Sequence, residues 1–289
     1  MLTRGLSARG HDVEVLGPAS LAQAFDGVAF TPVESPYGEV DLPDADVHVV
    51  DFMLTPTLRR VRGVALVHTL YASILRDGVP HPMGMLGPTD PAWLAQQRLV
   101  LVTCPAVLDG GRDHGNVRYA GPLVPEAEEP WTPPDDGRPL VAVSLGTTAG
   151  LDEEPVLANV VEALGDLEVT AIVNVGDHVD RGALPSRPNV HVTGFVPHAA
   201  VLPHAALLVT HAGLGSVNAA LVAGTPMLCL PLDREQPDNA RAVERLGAGR
   251  SLPRDASPAA IGEAVSSLLG ARGVRIEPTN RAFHHLQAL

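Results

Sequence analysis

The sequence predicts an α/β fold made of two doubly wound domains, the first of them incomplete. Short apolar runs alternate with helix-like stretches along the chain, a pattern typical of parallel sheets covered by helices. With 289 residues, of which 45% are hydrophobic, the chain has room for about two cores. Residues 122–138 are too rich in proline and acidic side chains for a core element, and we interpret them as a linker.

The first predicted domain covers residues 1–121. Its strands are expected at residues 11–16, 47–51, 64–67, 99–103 and 117–120. The connections between them are irregular, and one is a loop rich in proline and glycine that begins at Gly78.

The second predicted domain covers residues 139–273 and is more regular, and a tail follows at residues 274–289. Its strands are expected at residues 140–145, 169–175, 190–193, 207–210, 226–230 and 249–252, and its helices at 153–164, 199–204, 215–223, 236–246 and 258–269. Ligands of such sheets bind beyond the carboxyl ends of the strands. The loops after residues 145, 175, 193, 210 and 230 are therefore the predicted binding region.

Composition excludes several classes of function. The net charge is −13 and no arginine-rich patch appears, so we expect no nucleic-acid partner. Every basic residue is arginine, and the chain contains no lysine. Without lysine there is no Schiff base to pyridoxal phosphate and no phosphate-binding lysine of the P-loop or kinase type. No apolar run is long enough to span a membrane and the start does not resemble a signal peptide. We expect a cytoplasmic protein without membrane insertion, without a disulfide and without a metal site.

The clearest local signal is the segment from Val209 to Ser216, a strand that runs into a glycine turn and a helix. Gly213 and Gly215 let a ligand approach the backbone, and the amides at the start of the helix favour an anion. His211 and Ser216 add hydrogen-bond donors, so the segment is interpreted as a phosphate cradle. Two alternatives stay open: a tight turn with a structural histidine, and a dinucleotide fingerprint.

The loop after the next strand combines acceptors and amide donors. Glu235 and Gln236 stand side by side there, a mixture suited to sugar hydroxyls, which both donate and accept. For the neighbouring Asp233 or Asp238 taken singly, an N-cap of the helix is an alternative to a role in sugar binding.

Two further loops are expected at the same edge of the sheet. Phe195, Val196 and His198 follow one strand, where Phe195 either covers a base or packs in the core, and His198 stands where the next helix begins. Ser144, Gly146 and Thr147 follow the first strand of the domain and offer hydroxyls and a glycine.

Together these loops resemble the family 1 glycosyltransferases of the GT-B fold. The resemblance is strongest to bacterial enzymes of antibiotic biosynthesis, which move sugars from dTDP- or UDP-sugars onto macrolides and other natural products. It rests on Thr210-His-Ala-Gly-Leu-Gly-Ser216 combined with Glu235-Gln-Pro-Asp-Asn-Ala240, and it runs from residue 141 to about residue 252.

The resemblance implies a role for each of these loops. His211 and the turn from Gly213 to Ser216 would hold the diphosphate, Glu235 and Gln236 the donor sugar, and Phe195 and Val196 the base. Ala219 stands where many UDP-glucose enzymes have a glutamate for the ribose hydroxyls, which favours a dTDP donor. The family scheme uses a nucleotide sugar as co-substrate and no metal or other cofactor.

The first domain resembles the family's acceptor domain in part. The first strand of that domain, with the loop that carries its usual catalytic histidine, is missing from this sequence. Asp51 matches the aspartate that orients this histidine, although it also simply ends a predicted strand. His68 is expected near the end of the neighbouring strand, and the sequence disfavours a base built from Asp51 and His68.

The function that follows is an inverting transfer of a sugar to a hydroxyl of a small hydrophobic acceptor such as a polyketide, by a chain that can form a homodimer. Two alternatives remain: a nucleotide-sugar-binding protein with impaired catalysis, and a sugar-nucleotide epimerase.

Overall fold

A computed structural model describes residues 2–35, 37–38, 40–80, 87–125, 131–134, 136–146, 153–176, 179–278, 282 and 286. The chain divides into two compact units. Unit 1 comprises Met1–Leu123 with Thr279–Leu289, and unit 2 comprises Val124–Pro278. Each is described by itself below.

Unit 2 contains a parallel six-stranded sheet. Its strands are β7 (Leu140–Ser144), β8 (Thr170–Asn174), β9 (Val190–Thr193), β10 (Leu207–Thr210), β11 (Met227–Cys229) and β12 (Gly249–Ser251). They lie in the order β12-β11-β10-β7-β8-β9, so the chain reverses direction across the sheet between β7 and β10. Because β7, β8, β10 and β11 are buried on both faces, their sequences are continuous apolar runs.

The helices of unit 2 are α5 (Glu154–Gly165), α6 (His198–Val201), α7 (Leu214–Ala223), α8 (Gln236–Arg245) and α9 (Pro258–Leu268). Short 3₁₀ helices lie at Arg181–Ala183 and Leu202–His204. Helices α5 and α9 pack together, and their apolar side chains form one core with the sheet. Residues of β7, β8 and β10 lie at its centre.

Unit 1 contains two parallel sheets. Strands β1 (Glu14–Gly17) and β2 (Ala29–Pro32) form a pair, and β3 (Val49–Asp51), β4 (Val64–Val67), β5 (Leu99–Val102) and β6 (Val117–Tyr119) form a second sheet in chain order. Its α-helices are α1 (Leu2–Ser7), α2 (Thr55–Arg60), α3 (Tyr71–Asp77) and α4 (Ala106–Asp109), with 3₁₀ helices at Ala19–Phe25 and Pro91–Gln96. Ala282, near the end of the chain, is buried in the core of this unit.

The α/β class and eleven of the twelve strands among the described residues agree with the prediction from sequence, and three details do not. Strand β1 begins at Glu14 rather than at residue 11, because exposed Gly10 adopts a left-handed φ of 86° just before it. Strand β2 was not predicted, since its burial is too slight to leave an apolar pattern. The predicted helix at 199–204 is divided, because Pro203 has no N–H to continue an α-helix.

A buried carboxylate organises the helix that follows β4. Asp109 accepts hydrogen bonds from the backbone N–H groups of Tyr71 (2.9 Å) and Ala72 (3.1 Å) at the start of α3, and from the Tyr119 hydroxyl (2.6 Å). Burial, together with the hydrogen bond to Asp109, raises the pKa of Tyr119, so its hydroxyl stays protonated and donates.

Replacing this carboxylate is expected to destabilise unit 1. In Asp109→Asn one of three donors loses its acceptor, which costs about 1 to 2 kcal/mol of unfolding free energy. Urea denaturation followed by circular dichroism measures the loss. An Asp77→Asn variant is the control, because Asp77 is exposed and forms a surface ion pair with its neighbour Arg76. Equal midpoints for both variants would contradict the assignment.

In the described part of the chain, no helix has the length and apolar character needed to cross a membrane. Within the same residues, no group of three or more His, Cys, Asp or Glu side chains is arranged to hold a metal ion.

Candidate functional site

The candidate site lies at the carboxyl edge of the six-stranded sheet, where the chain reverses between β7 and β10. Ser144 at the end of β7 pairs in register with Thr210 at the end of β10, and Asn174 of β8 pairs with Thr193 of β9. Because the strands are parallel and their last residues are paired, the loops that follow them meet at one edge of the sheet.

These loops enclose a cavity of about 660 Å³. It is lined by Ser144, Leu145, Gly146, Asn174, Val175, Gly176, Phe195, Val196, His198, His211, Gly213, Leu214, Gly215, Ser216, Arg234, Glu235 and Gln236. The donor-site residues predicted from sequence therefore surround one space, apart from Thr147, which falls outside the described residues. Asn174, Gly176 and Arg234 line the cavity without having been predicted.

The turn after β10 positions His211. Ala212 adopts a left-handed φ of 64°, a conformation that costs a non-glycine residue about 1 to 2 kcal/mol. Asn239, fully buried on α8, donates from Nδ2 to the carbonyl of Ala212 (2.9 Å). Asn239 thus holds the strained turn in place, a positioning role that the sequence pattern did not indicate.

Gly213 makes room for the side chain of His211. A Cβ atom at Gly213 would lie 2.8 Å from Cε1 of His211 and closer still to Nε2, well inside van der Waals contact. A Cβ at Gly146 would lie 3.0 Å from the same Nε2. By contrast, among the described residues a Cβ at Gly215 would meet nothing within 4 Å beyond its chain neighbours and the local helix backbone. Both glycines line the cavity, and the expectation that they admit a ligand to the backbone stays a prediction.

His211 is a buried, neutral imidazole. Only 9% of the residue is exposed, and burial lowers its pKa to about 4, although the Ser144 backbone and Glu153 act in the opposite direction. Its buried Nδ1 has no hydrogen-bond partner of normal geometry among the described residues. A histidine kept for structure alone would normally have its buried nitrogen satisfied, which favours a role in binding.

Helix α7 begins at the cavity. Gly213 is its N-cap and makes no side-chain capping bond, so backbone N–H groups of the first turn point outward from the end that carries partial positive charge. Ser216, 7% exposed, lies in this first turn and lines the cavity. The arrangement suits an anion such as a phosphate.

Glu235 and Gln236 lie where α8 begins, and they differ in what they can offer. The Gln236 Oε1 atom already accepts from the N–H groups of Leu232 (2.8 Å) and Asp233 (3.1 Å). Its amide nitrogen is therefore the group left for a ligand hydroxyl. Glu235 lines the cavity as a half-buried acceptor.

Arg234 precedes this pair in a left-handed conformation, with φ of 60°. It is the one lysine or arginine among the described residues that line the cavity. A strained non-glycine residue is common at binding sites, where the surrounding structure holds it in place. Arg234 therefore adds a positive charge to a site otherwise built from neutral donors.

The loop after β9 also lines the cavity, through Phe195, Val196 and His198. Phe195 is 74% exposed, so the alternative that it packs in the core is wrong. Asn174 donates from Nδ2 to the carbonyl of Val196 (2.9 Å) and accepts at Oδ1 from the Thr193 hydroxyl (3.2 Å), which anchors the loop to β8. His198 begins α6 there, and burial lowers its pKa.

Asp51, the catalytic candidate from sequence, belongs to unit 1. It is the last residue of β3, and its Oδ1 accepts from the backbone N–H of Met53 (2.8 Å). Its Oδ2 lies 2.9 Å from Nε2 of His68, which follows β4 directly. The sequence placed these two residues at or near the ends of neighbouring strands, and the structure brings their side chains into contact.

Comparison with known proteins supports the same fold. Residues 154–282 match the family model of the erythromycin biosynthesis protein CIII-like C-terminal domain. The chain is similar to 4'-demethylrebeccamycin synthase of Lentzea aerocolonigenes, with 33% identity over 191 residues, which are 64% of this chain and 45% of that protein. The chain thus spans less than half the length of this curated relative.

Two solved structures have the same fold. The glycotransferase of kitacinnamycin superposes with a TM-score of 0.74 and 24% identity, covering 93% of this chain and 86% of the other. The spinosyn rhamnosyltransferase SpnG complexed with thymidine diphosphate superposes with a TM-score of 0.68 and 20% identity, covering 94% of this chain and 88% of the other. Residues 154–282 therefore match the model of an EryCIII-like C-terminal domain, the chain has the GT-B fold, and its sequence is similar to that of 4'-demethylrebeccamycin synthase.

Proposed function

We propose that this protein transfers a sugar from a nucleoside diphosphate sugar to a hydroxyl of a small hydrophobic acceptor such as a polyketide. The observation that carries the proposal is the cradle of unit 2, where neutral His211 and the start of α7 face the same cavity as Glu235 and Gln236. One part of the cavity suits a diphosphate and another suits sugar hydroxyls.

The reaction proposed is a single displacement with inversion. The acceptor hydroxyl loses its proton to solvent as its oxygen bonds to the anomeric carbon. The bond from that carbon to the diphosphate breaks, and negative charge develops on the departing nucleoside diphosphate. Donors of the first turn of α7, His211, Ser216 and the charge of Arg234 are placed to stabilise that charge. On this scheme the nucleotide sugar is the co-substrate and no further cofactor takes part.

The proposal is tested by incubating the chain with dTDP-sugars and UDP-sugars and a panel of phenolic and polyketide acceptors, and following the glycoside by mass spectrometry. Formation of a glycoside that depends on His211 supports a transferase. Tight nucleotide binding without transfer supports the alternative of a binding protein. Interconversion of free nucleotide sugars supports an epimerase.

We propose that the donor is a dTDP-sugar. Ala219 on α7 cannot bond a ribose hydroxyl, so a 2′-hydroxyl gains nothing from this position. The similar SpnG structure, complexed with thymidine diphosphate, supports the same donor class.

We expect dTDP to bind about 3- to 10-fold more tightly than UDP, equivalent to about one hydrogen bond's net free energy. Isothermal titration calorimetry with dTDP, UDP and 2′-deoxyuridine diphosphate measures this difference. The third nucleotide separates the effect of the 2′-hydroxyl from that of the thymine methyl group. Equal affinity for UDP and 2′-deoxyuridine diphosphate would remove the support from Ala219.

The homodimer and the cytoplasmic location stay predictions from the sequence.

A further inference from the structure

Two histidines of unit 2 line the same cavity, and each has a buried ring nitrogen without a hydrogen bond. Nδ1 of His211 and Nε2 of His198 have no partner of normal geometry among the described residues. His211 follows β10, and His198 begins α6, where burial lowers the pKa of its ring as well. Buried polar atoms normally have a partner, so two such atoms in one cavity point to a ligand that supplies it.

The ring of His211 lies near an acceptor of the protein and near the cavity. The backbone of Ser144 favours the protonated ring, as a nearby carbonyl oxygen does. Nε2 of the ring lies close to Gly146 and Gly213, which line the cavity. A neutral imidazole has one N–H, and its other nitrogen carries a lone pair. It can therefore donate to the protein or to a phosphate in the cavity, but not to both.

The charged and titratable groups around His211 come from three helices. Burial is the largest effect and keeps the pKa of the ring low. Buried Glu153, just before α5, favours the protonated ring, whereas His198 of α6 opposes it. Arg234 and Glu235, where α8 begins, are the charged side chains among the described residues that line the cavity, and their charges are opposite. The surrounding charges thus partly offset one another, and the empty site holds a neutral ring.

An anionic ligand changes this balance. An opposite charge within about 4 to 6 Å favours the protonated form of a histidine. The diphosphate of a nucleotide sugar is such a charge, and the start of α7 is placed to hold it at the cavity. With a second proton, both ring nitrogens of His211 donate, one towards the protein and one towards the phosphate. A hydrogen bond from a charged donor to a phosphate is about twice as strong as a neutral one.

We propose that the cavity binds a nucleoside diphosphate sugar together with one proton, which His211 takes up from solvent. This inference rests on the proposed donor site. The proton adds to the lone pair of the ring, and the imidazolium then donates from both nitrogens. After sugar transfer the nucleoside diphosphate leaves, and the proton returns to solvent. The positive charge is thus present while negative charge develops on the departing diphosphate, and it is absent from the empty site, where it would be buried without a ligand to balance it.

Isothermal titration calorimetry with dTDP-glucose measures this proton. The diphosphate of a nucleotide sugar does not titrate near neutral pH, so a proton taken up on binding is taken up by the protein. The full chain is titrated without an acceptor at pH 6, in PIPES, MES and bis-Tris, buffers that differ in their enthalpy of ionisation. The slope of the observed binding enthalpy against the ionisation enthalpy of the buffer gives the number of protons.

We expect the uptake of close to one proton for each dTDP-glucose bound. The affinity should increase about 10-fold for each unit by which the pH falls from 7 to 5, as linkage to one proton requires. Nitrogen-15 NMR of the labelled chain should find both ring nitrogens of His211 protonated in the complex.

Two variants locate the proton. In His211→Gln the new side chain can donate a hydrogen bond but does not titrate, so the uptake should fall to near zero and the affinity should depend little on pH. His198→Gln is the matched control, because it removes the other buried histidine of the cavity. Whatever its affinity for dTDP-glucose, this variant should still take up a proton. Thermal denaturation shows whether each variant is folded.

The outcomes separate the proton from the site. Binding of dTDP-glucose to the wild-type chain without proton uptake, at an affinity independent of pH, would overturn the inference and leave the donor site standing. Uptake that persists in folded His211→Gln and disappears in His198→Gln would also overturn it, because the proton would then belong to the other ring. If the wild-type chain does not bind dTDP-glucose, the proposed donor site and the proton uptake fall together.

Discussion

Gly213→Ala is expected to weaken nucleoside diphosphate binding about 10- to 100-fold and to destabilise unit 2 by about 1 to 3 kcal/mol. The added methyl group would overlap the His211 imidazole, which also lies close to Gly146. Either the ring rotates out of the cradle or the start of α7 moves. Both responses remove a donor from the place where the diphosphate is proposed to bind. Calorimetry with dTDP and thermal denaturation measure the two effects.

Gly215→Ala is the matched control, because it adds the same methyl group two residues further along the same turn. Beyond its chain neighbours and the local helix backbone, this methyl group would meet no atom of the described residues within 4 Å. It stands in the first turn of α7, where alanine is a better helix former than glycine. Stability should therefore stay equal or rise, while dTDP affinity should still fall if the ligand approaches the backbone there. Wild-type affinity and stability in Gly213→Ala would contradict the described packing of His211.

Unit 2 is expected to lose about 3 kcal/mol of unfolding free energy as the pH falls from 7 to 4, owing to His211 alone. Burial lowers the pKa of His211 from 6.5 to about 4. Between these values the unfolded chain binds a proton that the folded chain does not. The contribution of the neutral ring is therefore complete above pH 6.5 and is lost as the pH falls towards 4.

Urea denaturation between pH 4 and pH 7 checks this expectation, with His211→Gln as the comparison. The variant should show a shallower dependence of stability on pH, and not a flat one, because burial also lowers the pKa of His198. Proton NMR of the His211 ring should find it neutral at pH 5.5. A ring that titrates near 6.5, or equal slopes for the two proteins, would contradict the buried neutral state.

The sheet of unit 2 was predictable because its signal is local. Strands buried on both faces, such as β10 (Leu207–Thr210), must be continuous apolar runs. The glycines that follow Thr210 mark the end of this strand in the sequence. In unit 1 the same reasoning missed β2 (Ala29–Pro32), which is mostly exposed and has no such pattern. A strand with little buried surface needs few apolar residues and therefore has no clear hydrophobic pattern in the sequence.

The candidate site was predictable as a set of loops but not as a set of contacts. The loops after parallel strands must share one edge, so the order of strands and loops along the chain is enough to group Phe195, His211 and Glu235. That Gly213 serves the His211 ring, and that Asn239 holds Ala212, depends on packing between elements far apart in the chain. The pairing of Asp51 with His68 likewise depends on side-chain direction, which strand spacing alone does not determine.

The most direct test of the central claim is an NMR titration of the isotopically labelled chain with dTDP, with thymidine as the control. If the cavity of unit 2 holds a nucleoside diphosphate, the backbone amides of Leu214, Gly215 and Ser216 and the ring of His211 should shift with dTDP and stay nearly unchanged with thymidine. Saturable binding of dTDP that leaves these four signals unmoved, or no binding at all, would contradict the assignment of this cavity as a donor site.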